Sequence, residues 1–410
     1  MAGKWTIGAQ LSTSHSRPEA LSLDRVIRVV DGVRSAIELN ILVLGAGEAP
    51  EIFDFMCGPG RPVDQVFLWY NVLSDIEGME ESDLVVDWRG ERSRGWGGWA
   101  ENRADVTETF RFVCPNNPVA RKKTLRRLRG LLERYSFAGV FLDKVRFPSP
   151  ANGLDELLSC FCDHCRAAAT AVDLSLDAVI RMFENRAIVV APRDNGGQRH
   201  WLEGLTSVNP LLSHFLRFRM DCITKLVAEA HEEVSRLGRK VSLDLFSPGL
   251  APLVGQDYRA LSRHCAWAKP MTYRVAKGPA GLRLEIPALV EGVARMFNVD
   301  EKEITEWAAH NVTGFSRDTL QLTRSAAVPL PAIIAEIDSA VHSMQPVPVF
   351  FGLELVRHQG VIDITPALVV DMVHAGRAAN AAGFVISWDL MHAPMDGIEA
   401  LAGAIGDFSS

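Results

Sequence analysis

The sequence predicts an α/β protein, a (β/α)8 barrel in a single domain. Three observations carry that expectation. Eight short apolar runs are spread along 410 residues, each is followed by helical material or a long loop, and several end in a carboxylate. Strands buried on both faces read as continuous apolar runs, and a parallel sheet wrapped by helices places its chemistry at the C-terminal ends of its strands. With 48% hydrophobic residues the chain has ample material for such a core.

Trp5–Leu11 is the first strand, and Pro18–Ala36, with proline at its opening and apolar residues at helical spacing, is the helix after it. Ile41–Leu44 is the second strand. It leads into Gly45-Ala46-Gly47-Glu48, where Glu48 is placed to face a cavity. The glycine pair is not a dinucleotide fingerprint, because Gly47 is followed by Glu48, Ala49 and Pro50 instead of a third glycine and an opening helix. Gln65–Leu73 is the third strand and bears Tyr70 and Asn71. The long glycine-rich stretch beyond it carries Trp88, Trp96 and Trp99, whose faces either stack on a flat ligand such as a sugar ring or fold over their own cluster.

Lys122–Tyr135 is a basic helix leading into the fourth strand, Gly139–Leu142, with Asp143 at its C-terminal end. The largest insertion follows, Ser149–Gly238, mainly helical and interrupted near Pro192–Gly197. Val241–Phe246 is the fifth strand, with Asp244 ahead of the turn residues Ser247-Pro248-Gly249. Ala266–Tyr273, the sixth, carries Lys269 and Tyr273 at its end. Helical patterns at Ile286–Phe297, Glu301–His310 and Ile333–Met344 make a second long excursion before the seventh strand, Val347–Val356, with Glu354 near its end. Gly383–Trp388 is the eighth, followed by Asp389.

Composition excludes several function classes. A formal charge of −7 argues against a nucleic-acid-binding surface. The opening MAGKWTIGAQLS turns polar too soon for a signal peptide and no later run is long enough to span a bilayer, so a cytoplasmic protein without a membrane partner is expected. Seven cysteines, three of them within six residues, suit a reducing compartment and a metal site better than a disulfide framework. The oligomeric state is open, with a homo-oligomer allowed.

Asp143, Asp244 and Glu354 end different strands and are expected to converge on one mouth. Paired carboxylates there suit hydrolysis of a glycosidic bond, one acid protonating the leaving oxygen and the other serving as nucleophile or as base for water. Carboxylates at strand ends also cap helices or pair with neighbours such as Lys144 or Arg146. Those two cations assign Asp143 the ionised role. The apolar Phe350-Phe351-Gly352-Leu353 before Glu354 makes that residue the expected proton donor, with Asp244 in reserve. Arg146, Lys269, Tyr273, Trp388, Asp389, Tyr70, Asn71 and Glu48 are expected to line the substrate site. The partner is then a carbohydrate, either hydrolysed or only bound. No H-x-H or H-E-x-x-H supports a metal-dependent hydrolase.

Cys114 in FVCPNNP together with Cys160, Cys162 and Cys165 in CFCDHC resembles the four-cysteine zinc site of family 42 β-galactosidases. The resemblance implies a structural Zn2+ held by four thiolates in a closed tetrahedron; buried free cysteines at a chance spacing are the alternative. His164, between two of the thiols, is a poorer ligand. The fourth strand of that family ends in Asn-Glu where this one has Leu142-Asp143, so only Glu354 matches its nucleophile position. FAGVFLDKVRFP, KPMTYR and GFVISWD are similar to the fourth-, sixth- and eighth-strand motifs of family 18 chitinases, with Val145 where their acid glutamate stands. More broadly the chain resembles bacterial glycoside-hydrolase-like barrels whose fourth strand reads G-[IV]-F-L-D-[KR]-[IV]-R-[FY]-P.

Overall fold

The computed structural model describes residues 5–13, 21–96, 109–185, 209–311, 326–358 and 360–406. Trp99, Pro18 and the interruption at Pro192–Gly197 lie outside them. Eight parallel strands, β1 (Thr6–Ser12), β2 (Ile41–Gly45), β3 (Gln65–Asn71), β4 (Gly139–Asp143), β5 (Lys240–Phe246), β6 (Trp267–Met271), β7 (Phe350–Glu354) and β8 (Gly383–Ser387), follow one another in the order β6-β5-β4-β3-β2-β1-β8-β7. An isolated bridge from Ala268 to Val349, with the Ala268 amide donating to Pro348 at 3.2 Å, brings β6 and β7 together and nearly closes the barrel.

Alternation along the strands divides the apolar residues into two cores. Ile41, Val43, Phe67, Phe141, Trp267, Phe350 and Val385 fill the barrel interior. Their neighbours in sequence, such as Leu42, Leu44, Leu68, Val140 and Leu142, pack outward against the helices. Trp267 stacks on Phe141 at 5.3 Å and meets Phe67 edge-on at 5.4 Å, so the inside is a plug and not a pore. Burying each such ring contributes about 2–3 kcal/mol of transfer free energy. The same alternation places Asp143, Asp244 and Lys269 inward, beyond that plug.

Helix boundaries follow their caps. Helix α1 (Leu23–Ala36) starts at Ser22, whose side chain accepts from the Arg25 amide. Helix α2 (Pro50–Cys57) was not expected: Pro50 reads as a breaker in the sequence but occupies the first turn, where its missing N–H costs nothing. Helix α3 (Pro118–Arg134) begins earlier than its basic pattern because Asn117 caps it, accepting from Val119 and Ala120. The excursion after β4 is helical where described, with α4 (Asp163–Thr170), α5 (Leu176–Glu184) and the 27-residue α6 (Pro210–Arg236). Helices Leu282–Phe297, Glu301–Asn311 and Leu330–Met344 form the excursion after β6.

Two strands are shorter than the apolar runs that announce them. In β6 the Thr272 amide turns back to the Pro270 carbonyl at 3.0 Å, which ends the ladder and swings Tyr273 over the barrel. Before β7, Pro348 has no N–H to give the ladder, and after it the chain makes a short antiparallel hairpin, Arg357–His358 with Ile362–Asp363. No described helix is long and apolar enough to cross a membrane.

Candidate active site and cysteine cluster

Strand register builds the site. Asn71 pairs with Asp143, Leu142 with Leu243, and Asp244 with Lys269, so Asn71, Asp143, Asp244 and Lys269 form one row across β3, β4, β5 and β6. Residues level on parallel neighbours face the same side, with strands about 4.8 Å apart. Lys269 is fully buried in the middle of a polar group: its Nζ lies 2.9 Å from Asp244 Oδ2 and donates to Gln10 Oε1 at 2.6 Å, the Tyr273 hydroxyl at 2.9 Å and Ser387 Oγ at 3.3 Å. Asp143 is half-buried and accepts from Trp69 Nε1 at 2.9 Å and from the Lys144 amide at 2.5 Å. Asp244 Oδ1 and Asn71 Oδ1 are buried without a hydrogen-bond partner among the described residues.

Burial, followed by the charge of Asp143, pushes the Asp244 carboxyl up to about 8, against the opposing pull of Lys269 and Arg146. Arg146 is itself buried, held between the rings of Phe112 and Phe246 at 4.4 and 4.5 Å, and donates to the Phe147 carbonyl at 2.9 Å. Desolvation brings its guanidinium down to about 10, and Glu285, Asp143 and Asp244 oppose that shift. Lys144 serves a different acid. Its Nζ pairs with Asp75 at 2.7 Å; burial alone would raise Asp75, but Lys144 and Thr109 outweigh it and hold that carboxyl near 2.

Glu354 stands apart from the row. It is fully buried, and its carboxylate accepts from the successive amides of Arg274 (2.7 Å), Val275 (2.9 Å) and Ala276 (2.7 Å). Burial raises its carboxyl to about 7 against those bonds. Its oxygens pin the chain leaving β6 to the end of β7, across the seam where the ladder is thinnest. The expected donor therefore has its oxygens engaged by backbone, and the reserve, Asp244, is the one beside Asp143.

The other expected residues divide in the same way. Tyr273 joins Lys269, and its ring lies where a side chain at Gly352 would collide with it at 2.8 Å, so a residue without Cβ is needed on β7 there. Trp388 packs on Tyr273 at 6.1 Å and is stacked by His358. Asp389 caps a turn, accepting from the amides of Met391 at 3.2 Å and Ser12 at 3.3 Å. Tyr70 faces outward between the inward Trp69 and Asn71, and its hydroxyl donates to the Thr124 carbonyl at 2.8 Å. Glu48 pairs with Arg134 at 3.0 Å and accepts from the Tyr135 hydroxyl. Sequence reading missed Gln10, Trp69 and Ser387; the signal for Gln10 was a lone amide inside the apolar run of β1.

A second cluster lies in the excursions after β3 and β4. The sulfurs of Cys114, Cys160, Cys162 and Cys165 are all within 4.8 Å of one another, with Cys114 at 3.4 Å from both Cys165 and Cys162. A tetrahedron with metal–sulfur bonds of about 2.3 Å has edges of roughly 3.8 Å, so the four fit one ion. Amides converge on them: Val86 donates to Cys160 at 3.3 Å, Asn116 to Cys114 at 3.4 Å, and the Asn116 side chain to Cys165 at 3.3 Å. Hydrogen bonds from the neighbouring thiols pull Cys162 down, while Cys114 and Cys165 are pushed up. Such crowding is relieved when a cation takes all four as thiolates. His164 is not in the group.

No protein-family model matches the chain, and no curated protein matches its sequence. Solved structures match its fold. The glycoside hydrolase domain of PgaB (BpsB) from Bordetella bronchiseptica aligns with a TM-score of 0.55 and 12% identity over 98% of this chain and 99% of that one. The catalytic domain of a β-amylase from Paenibacillus polymyxa aligns with a TM-score of 0.48 and 10% identity over 99% of each chain. A chitinase from Chromobacterium violaceum gives 0.46 and 9% over 98% and 99%. At 12% identity the likeness to the PgaB domain shows the barrel alone and leaves the family 42 and family 18 resemblances at the level of motifs.

Proposed function

We propose that the chain is a glycoside hydrolase whose chemistry belongs to Asp143 and Asp244. The observation that carries this reading is the unpartnered, buried Oδ1 of Asp244 one strand away from the half-buried carboxylate of Asp143. With its carboxyl near 8, Asp244 holds a proton at neutral pH and gives it to the leaving oxygen. Asp143 attacks the anomeric carbon as the bond to that oxygen breaks. Water, losing a proton to Asp244, then attacks the same carbon, releases the sugar and restores both acids. Side chains level on neighbouring strands sit roughly 5 Å apart, close to the retaining range of roughly 5–5.5 Å and well short of the inverting one.

Trp69 orients Asp143, Lys269 fixes the second oxygen of Asp244, and Trp388 with Tyr273 offers an aromatic wall to the apolar face of a sugar. The barrel shared with the PgaB domain supports the same class. The test is a panel of aryl glycosides and oligosaccharides followed by proton NMR of the first-formed anomer. Retention is expected. Asp143→Ala should lower turnover by about 10²–10⁴-fold, and azide should restore part of it as a glycosyl azide. A second reading, a barrel that binds carbohydrate without cleaving it, is favoured by the fully buried Asp244–Lys269 ion pair. Sugar binding with no turnover by wild type, alongside unchanged binding in Asp143→Ala, would support it instead.

The four cysteines form a structural zinc site in this reading. Cys114, Cys160, Cys162 and Cys165 hold the ion, which supplies a cross-link between the two excursions and leaves no open position for water. Metal analysis of protein never exposed to chelator should give about one zinc per chain. Cys162→Ser should lower the melting temperature without lowering turnover per folded molecule. Less than about a tenth of that stoichiometry would contradict the site.

A further inference from the structure

Arg219, on α6, is the largest fully buried side chain among the described residues. Its guanidinium lies over the rings of Phe147 at 4.4 Å and Phe215 at 5.6 Å, donates through Nη1 to the Leu253 carbonyl at 2.7 Å and through Nη2 to the Leu157 carbonyl at 2.6 Å, and leaves Nε without a partner. No carboxylate among the described residues pairs with it. Leu157, whose carbonyl it holds, stands three residues before Cys160 of the four-sulfur group, and Cys222, about one turn further along α6, is a buried thiol whose donor, the Asn116 side chain at 3.0 Å, also reaches Cys165 at 3.3 Å. Cys222, Cys160 and Cys165 oppose the downward shift that burial imposes on the guanidinium.

A guanidinium does not give up its proton in a protein, and a buried cation needs an opposing charge nearby. Neutral thiols supply none, and a lone thiolate at Cys162 supplies a single charge. Four thiolates on a divalent ion carry a net charge of −2, an anion of the right sign beside Arg219. We infer that Arg219 is the buried counter-ion of the metal–thiolate centre, and that it ties the metal to the exits of the catalytic strands. This rests on the metal reading above.

The tie is made of named bonds. Leu157 ends the short helix Leu154–Leu157 that leads into Cys160, and Leu253 lies in the 3-10 turn Ala251–Val254 of the connection after β5. In that second loop Gln256 accepts from the Phe246 amide at 2.8 Å and donates to the Val145 carbonyl at 3.2 Å, while the Phe147 amide donates to Val254 at 2.9 Å. Val145 and Phe246 stand two residues beyond Asp143 and Asp244. One side chain thus holds the cysteine loop against the segment that braces both acids.

The experiment compares wild type, Arg219→Met and Arg219→Lys, each as full-length protein with zinc and after removal of zinc by chelator. Zinc affinity, read by competition with a chromogenic chelator, should fall at least about fivefold in Arg219→Met and stay within about threefold of wild type in Arg219→Lys, because coupling between charge and metal is reciprocal. Melting temperatures should move in opposite directions: Arg219→Met below wild type with zinc bound, and above wild type without it, since the buried cation then lacks the double negative charge of the metal centre. A packing role alone would lower both melting temperatures and leave zinc affinity unchanged, which overturns the proposal. Equal loss of zinc affinity in the Lys and Met variants also overturns it. Wild-type protein that contains and binds no zinc removes the metal reading itself, a result distinguishable from either.

Discussion

Asp244 and Glu354 are both inward carboxyls on barrel strands, both fully or almost fully buried, and both raised well above the usual carboxylate range by that burial. They differ in what their oxygens touch. Glu354 is met by three successive amides, so each oxygen is used by the backbone, whereas Asp244 has one oxygen on Lys269 and the other unpartnered next to Asp143. A raised pKa therefore does not by itself mark an acid catalyst. The useful mark is a raised pKa together with an oxygen left free to reach a ligand.

The contrast can be sharpened by pH. Activity should fall about tenfold per pH unit above pH 8 as Asp244 loses its proton, and this limb should be shallow for a substrate whose leaving group needs no acid. Stability should follow the same direction. A carboxyl raised on folding holds more protons in the native than in the unfolded chain, so its stabilising contribution is complete below about pH 4 and is lost as pH rises through the folded value, near 7 for Glu354 and near 8 for Asp244. Urea midpoints measured from pH 5 to 8.5 check this, and Asp244→Asn should flatten the upper part of the curve.

Glu354→Gln should cost about 2–4 kcal/mol of stability, because an amide nitrogen would face backbone donors that now meet a carboxylate oxygen. Denaturant unfolding measures it; a loss under about 0.5 kcal/mol would mean the three amides are satisfied elsewhere. The smallest expected effect is that of Tyr70→Phe, about 1 kcal/mol from the lost bond to Thr124 with turnover unchanged, since Tyr70 faces away from the row.

Much of the barrel was legible because period-two burial writes itself into sequence: VFLD, SLDLF and WAKPM announce their strands and their inward polar residues directly. The row of Asp143, Asp244 and Lys269 follows from placing those residues at strand ends, and the cysteine group follows from local spacing plus Cys114. What escaped depends on partners distant in sequence. Glu354 is separated from the amides it accepts by about eighty positions, and no local pattern reveals them. Tyr70 was misjudged by one place in the alternation. Arg219 reads as one more cation on a long helix, and only its burial between ring faces and carbonyls near the cysteine loop distinguishes it.

Parallel turnover of the glycoside panel by wild type, Asp244→Asn and Glu354→Gln, corrected for folded fraction, tests the division of roles most directly. The expected result is at least one substrate hydrolysed by wild type, a loss of about 10²-fold or more in Asp244→Asn for a substrate with a poor leaving group, and Glu354→Gln within about threefold of wild type. Full activity in Asp244→Asn with its loss in Glu354→Gln would contradict the assignment and return the proton to β7.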